Sequence, residues 1–239
     1  MMVMLIASLV LFACRKTEPT SAKVSPEAHQ NEMIKKSFEE SKQVIAAKVN
    51  GNAITMFSVL REMNSIAPQY LKPGQPSTPE INAKIRKDAL NTLITQELAV
   101  QEAIKRGLKV TPETLDNEIR KIKTGKGSEA GYQEYLANQG LTENELRKVI
   151  EQDTLFELIA TQEIDAKITV TDAALRERYR KERAGLKDSY HRNLSFEEAK
   201  GMLELKVRAE AGDKRMREWE KELRKNARIE VLDQGQRQG

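Results

Sequence analysis

The sequence predicts a mainly α-helical protein with a small antiparallel β element formed by N- and C-terminal strands. Three observations lead there. Apolar residues recur at i+3 and i+4 over most of the length, and a Thr or Ser suited to capping a helix precedes most of these runs. Asn50-Gly51 between two short apolar runs marks a hairpin near the start, and an alternating run at Arg228-Ile229-Glu230-Val231-Leu232 marks a strand near the end. Composition agrees: 32% of residues are charged and only 5% aromatic, with Lys, Glu, Ala, Leu and Arg dominant, as in long helices.

Residues 1–13 contain no charge. The run is too short for a bilayer span, which needs about 20 apolar residues, and fits the apolar core of a signal peptide. Met1-Met2-Val3-Met4 lacks the Lys or Arg that opens such a peptide, which leaves a start upstream as an open alternative. The run ends Leu11-Phe12-Ala13-Cys14, and the chain then turns polar through Arg15, Lys16, Thr17, Glu18 and Pro19. This junction resembles the lipobox of bacterial lipoproteins. The resemblance implies cleavage before Cys14 and lipid attachment to its thiol, with enough acyl chains for stable anchoring. Cys14 is the only cysteine, so an intramolecular disulfide is excluded, as are a Cys nucleophile and a cysteine zinc site once the thiol is lipidated.

Residues 14–44 read as a polar tether, flexible in its first half, and Glu32 to Ala47 reads as a continuing helix with sparse apolar positions. Ile45 to Thr55 reads as the hairpin, since a type I′ turn needs positive φ at both central residues. Thr55 caps a helix with Phe57, Leu60, Met63 and Ile66, and a Pro-, Gly- and Ser-rich loop follows from Pro68 to Pro79. Thr78-Pro79 places a cap before Pro at the first helical position. That helix carries Ile81, Ile85, Leu90, Leu93, Ile94, Leu98 and Ile104 to Arg106, and Gly107 ends it. Thr111-Pro112 opens the next helix, which ends near Gly125. Residues 128–138 form a short helix closed by Gly140. Thr142 caps a long one through Leu146, Val149, Ile150, Phe156, Ile159 and Ile164, and Thr171 caps another through Ala174, Leu175 and Tyr179. After a link from Ala184 to Leu194, Ser195 and Glu198 form a capping box. The helix it opens is expected to reach Asn226, with a kink or break at Gly201 and Gly212. The folded domain thus covers residues 45–232, and residues 233–239 are a polar tail. Strands at both ends suggest that the termini meet in one sheet, because an isolated hairpin is only marginally stable.

The stretch AAKVNGNAIT followed by a helix resembles the opening of the SurA and PrsA type of exported foldases. LNTLITQELAVQEAIKRG, LKVTPETLDNEIRKI, GLTENELRKVIEQDTLFELI, ITVTDAALRERYRK and WEKELRKNARIEVL continue the likeness in order from Leu90 to Leu232. Each motif is degenerate; their order is what is specific. The resemblance implies a SurA N-terminal-like helical chaperone domain. In those foldases a parvulin prolyl-isomerase domain follows the ITVTD helix. Here only Ala184 to Leu194 separates that helix from the last one, whereas an independent domain needs at least about 50 residues. The expectation is the chaperone module without isomerase activity, needing no cofactor.

Such a module would hold unfolded chains on flexible apolar side chains. Candidate client contacts are Met56, Phe57, Met63, Ile66, Tyr70, Tyr132, Tyr135 and Met202, with Trp219 beside them. The alternative for each is a place in the core. Helices this charged abound in solvated Glu pairs, and neither a Ser-His-Asp set nor a metal-ligand cluster can be assembled. His29 and His191 fall in the tether and the link, and Gly125-Lys126-Gly127-Ser128 reads as a turn. The net charge of +4 comes from 40 basic and 36 acidic residues spread along the chain, without the basic, aromatic-interleaved block of a nucleic-acid binder. The expected partners are unfolded or nascent exported polypeptides, the membrane through the lipid anchor, and a second copy in a homodimer as an open option. The expected location is the cell envelope facing the periplasm, on the outer membrane, because Arg15 stands where many inner-membrane lipoproteins have Asp. A structural or adaptor lipoprotein that binds one folded partner is the competing class.

Overall fold

The computed structural model describes residues 26–72 and 74–232. The signal segment, Cys14 and the tail at 233–239 lie outside the described residues. Strands β1 (Ile45–Val49) and β2 (Asn52–Thr55) form the hairpin. Asn50 and Gly51 take φ of 52° and 95°, the positive values a type I′ turn requires. Strand β3 (Ile229–Val231) pairs antiparallel with β1 on its other side, giving the order β2-β1-β3. The chain ends of the domain meet as expected, and the third strand supplies what the hairpin alone lacks.

Helices α1 (Pro26–Gln43), α2 (Met56–Ile66), α3 (Pro79–Lys105), α4 (Pro112–Gly125), α5 (Glu129–Gln139), α6 (Glu143–Glu163), α7 (Asp172–Glu182) and α8 (Phe196–Arg224) make up the rest. Thr55, Thr78, Thr111, Ser128, Thr142, Thr171 and Ser195 each accept the backbone N–H three residues on. These bonds satisfy donors that a helix start leaves open. Thr142 with Glu145, like Ser195 with Glu198, completes a capping box.

Three elements differ from expectation. The helix expected from Glu32 to Ala47 forms as α1 but begins earlier, at Pro26, and stops at Gln43, so residues 45–47 join β1 instead of extending it. Tertiary partners hold it: the Phe38 ring meets Phe57 edge-on at 5.8 Å, and Lys42 pairs with Glu145 at 2.9 Å. Helix α8 runs unbroken through Gly201 and Gly212 and ends at Arg224, two residues short of Asn226. Each glycine costs about 1 kcal/mol relative to Ala, and burial of Leu203 near one end and Trp219 near the other offsets that cost. The link at 184–194 is a closed loop. Lys187 bridges Asn193, the Asp188 carboxylate accepts the N–H groups of Tyr190 and Arg192, and His191 takes φ of 62°.

Helix α3 is the spine, packed by α2, α6 and α8. The sheet, Val59 of α2 and Leu90, Ile94 and Leu98 of α3 form one cluster. A second gathers Ala99, Val100, Ala103, Leu155, Ile159 and Trp219 between α3, α6 and α8. A third joins Phe57, Ile119, Tyr132, Leu136 and Leu146. A fourth, Leu175, Leu186, Ala199 and Leu203, unites α7, the link and the first half of α8.

Candidate functional site

A surface that holds varied apolar segments must itself leave apolar side chains in reach of solvent. Helix α2 does so along one row. Its cap, Thr55, sets Met56, Leu60 and Met63 at i, i+4 and i+7. Phe57 and Val59 turn inward and are buried, Met56 and Met63 rest half-buried on the first cluster, and Leu60 is exposed. Ile66 is half-buried at the helix end. Beyond it Tyr70 donates its hydroxyl to Asp88 at 2.7 Å, and Lys84 lies 5.0 Å from its ring. That hydrogen bond, more than anything else around it, raises the Tyr70 phenol above its usual value.

A second apolar row lies on α8. Ala199, Leu203 and Val207 face α7, whereas Met202 and Leu205, three apart on another side, are 41% and 71% exposed. The expected contact residues therefore fall into three places. Met56, Met63, Ile66 and Tyr70 share the α2 surface, and Met202 stands exposed on α8. Phe57, Tyr132 and Tyr135 belong to the third cluster. Of these, Tyr132 is fully buried and Phe57 nearly so, and no bound chain can reach them without opening the core. Burial, then the charge of Glu143, pushes the Tyr132 phenol up. Tyr135 is half-buried with Lys126 4.3 Å from its ring. Trp219 is 2% exposed and packs against Phe156. Leu60 and Leu205 are exposed apolar residues on these helices that the sequence does not single out as candidates. Leu205 stands off the 199/203/207 row, which is the signal that marks it as outward.

Between the α2 surface and α8 runs a groove of about 530 Å³. Phe156 and Met216 line it with apolar side chains, Glu62, Asp88, Asp153 and Glu220 with carboxylates, and Asn91, Thr92, Thr95 and Gln96 complete the wall. Desolvation raises the Glu62 carboxyl, and the charge of Asp153 across the groove raises it further. Gln96 donates to Asp153 at 2.6 Å and Arg224 pairs with Glu220 at 2.9 Å. A lining both apolar and acidic suits an apolar side chain flanked by Lys or Arg. Among the described residues no group of three or more His, Cys, Asp or Glu is placed to hold a metal ion, and no helix is long and apolar enough to cross a membrane.

A family model described as SurA-like N-terminal domain matches residues 30–160. The chain is similar to proteins named Chaperone SurA. It is 26% identical over 148 residues to that of Chromobacterium violaceum, covering 62% of this chain and 34% of the relative. It is 29% identical over 171 residues to that of Bordetella pertussis, covering 71% of this chain and 32% of the relative. The chain thus spans about a third of the length of the curated relatives it matches.

Proposed function

The chain belongs to the SurA-like N-terminal domain family, and from that premise we propose that it is a chaperone module that holds unfolded exported polypeptides. The reading adds a tether, the lipid on Cys14, and a position in the cell envelope facing the periplasm. It assigns no isomerase step, because α7 and α8 are joined by the closed loop at 184–194 alone. The observation that carries it is the pair of solvent-facing apolar rows on this family's helical framework: exposed Leu60 between half-buried Met56 and Met63 on α2, and exposed Met202 and Leu205 on α8. Unfolded chains aggregate through transiently exposed apolar surface. Shallow rows of Met and Leu mask such surface reversibly without nucleotide. Ile66 and Tyr70 extend the α2 row as further contacts, and Tyr135, half-buried on the third cluster, is a separate one. Phe57 and Tyr132 serve by holding the frame.

Three experiments test the reading. Suppression of aggregation of an unfolded outer-membrane protein by residues 15–239 is expected, and its absence at several-fold excess would refute the holding role. Radiolabelled palmitate fed to cells is expected to enter the native protein and not the Cys14→Ala variant. A prolyl-peptide isomerisation assay is expected to show no turnover.

A further inference from the structure

Strands β2 and β3 are both edges of the sheet, and their outer sides differ. Beyond β2 lies α1, which packs against it, and the strand turns directly into α2 at Thr55. Strand β3 packs against β1. Its hydrogen bonds show which way each residue points. Asn50 donates its N–H to the Arg228 carbonyl at 2.8 Å, Leu232 donates to the Ala46 carbonyl at 2.8 Å, and Glu230 lies opposite Lys48 between them. In an antiparallel ladder these residues alternate with ones that face away. The N–H and C=O groups of Ile229 and Val231 therefore point off the sheet, and among the described residues nothing bonds to them. Val231 shares a face with Ile229, which packs on the first cluster, yet Val231 and Leu232 are each 50% exposed.

We infer that the β3 edge is a second binding site, which takes an extended segment of the unfolded client as a fourth strand; this rests on the chaperone reading above. Main-chain pairing supplies affinity without regard to sequence, as a binder of many clients requires. The half-exposed Val231 gives a preference on top. A client residue on the same face beside Val231 or Ile229 is apolar, β-branched or aromatic, and its neighbours are free to be polar. Proteins that must avoid such pairing blunt an exposed edge with proline, inward charges or a covering loop. Here the edge carries the Arg228–Glu230 pair on the opposite face, joined at 2.6 Å, and leaves the core-side face apolar.

The test uses the full chain and reduced, carboxymethylated α-lactalbumin, a permanently unfolded protein, as probe. Amide exchange at Ile229 and Val231 is expected to slow about tenfold when the probe is bound. Val231→Pro removes an outward donor that β1 does not use and is expected to weaken probe binding about fivefold with an unchanged melting temperature. The exchange measurement uses the unaltered chain and so stands independently of any effect of that variant on the strand. Probe binding without protection of the two amides overturns the edge site and leaves the chaperone reading intact. Failure of the unaltered chain to bind the probe overturns both.

Discussion

Three cations from three elements converge on Glu163, the buried carboxylate at the C-terminal end of α6. Arg106 at the end of α3 pairs with it at 2.6 Å, Arg215 of α8 at 3.0 Å, and Lys167 of the following turn in closer contact still. The Lys167 hydrogen bond is the largest influence; although burial opposes it, the carboxyl is held at about 2, against an ordinary value of 4.5. The sign follows from that depression: the stabilisation is fully present above pH 4.5 and is lost as pH falls toward 2. Glu163→Gln is expected to cost about 2–3 kcal/mol at pH 7, because it removes the buried charge that three part-exposed cations share. Chemical denaturation at pH 7 and pH 2.5 checks this, and the gap between the two proteins should narrow at the lower pH. Nothing in the sequence distinguishes Glu163 from its solvated neighbours, since Arg106 and Arg215 lie more than fifty residues away along the chain. Gly140 is the opposite case. Its place as a helix-ending glycine is readable, and it takes φ of 63°. What the sequence hides is the Phe38 ring, which a Cβ at this position would meet at 2.6 Å. Gly140→Ala is expected to cost about 1–3 kcal/mol, through backbone strain and displacement of that ring, measured by thermal unfolding.

At the scale of elements, the caps carried the prediction. Thr and Ser at helix starts, Pro behind them at Thr78-Pro79 and Thr111-Pro112, and Gly107 and Gly140 at the ends are local signals, and the helices they bound form where expected. The errors fall where distant packing overrides local propensity. Helix α1 has few apolar residues, yet Phe38 and Lys42 each find a partner across the chain. Helix α8 contains two glycines, yet its two ends are anchored in separate clusters, the fourth through Leu203 and the second through Trp219. A Cβ at Gly201 meets nothing within 4 Å. Gly201→Ala is therefore expected to stabilise the fold by about 0.5–1 kcal/mol, seen as a higher melting temperature with no loss of binding. A fall in stability would show that α8 needs its flexibility there.

At the scale of the whole molecule, the fold class and the meeting of the strands follow from periodicity and one Asn-Gly turn. The proposed binding surface was readable only in part. A Met or aromatic residue on a helix is equally suited to core and surface, and only the packing decides. It buries Phe57, Tyr132 and Trp219, and it leaves Met202 and the unexpected Leu205 in solvent. The account rests on these exposed rows being the working surface of a family defined by its helical frame. The direct measurement is aggregation of an unfolded outer-membrane protein, followed by light scattering, with residues 15–239 and with a Met202→Glu, Leu205→Glu variant. The account predicts strong suppression by the first, weaker suppression by the second, and equal melting temperatures, because neither side chain supports the core. Equal suppression by both would remove the α8 row from the site. No suppression by the unaltered protein would contradict the chaperone reading itself.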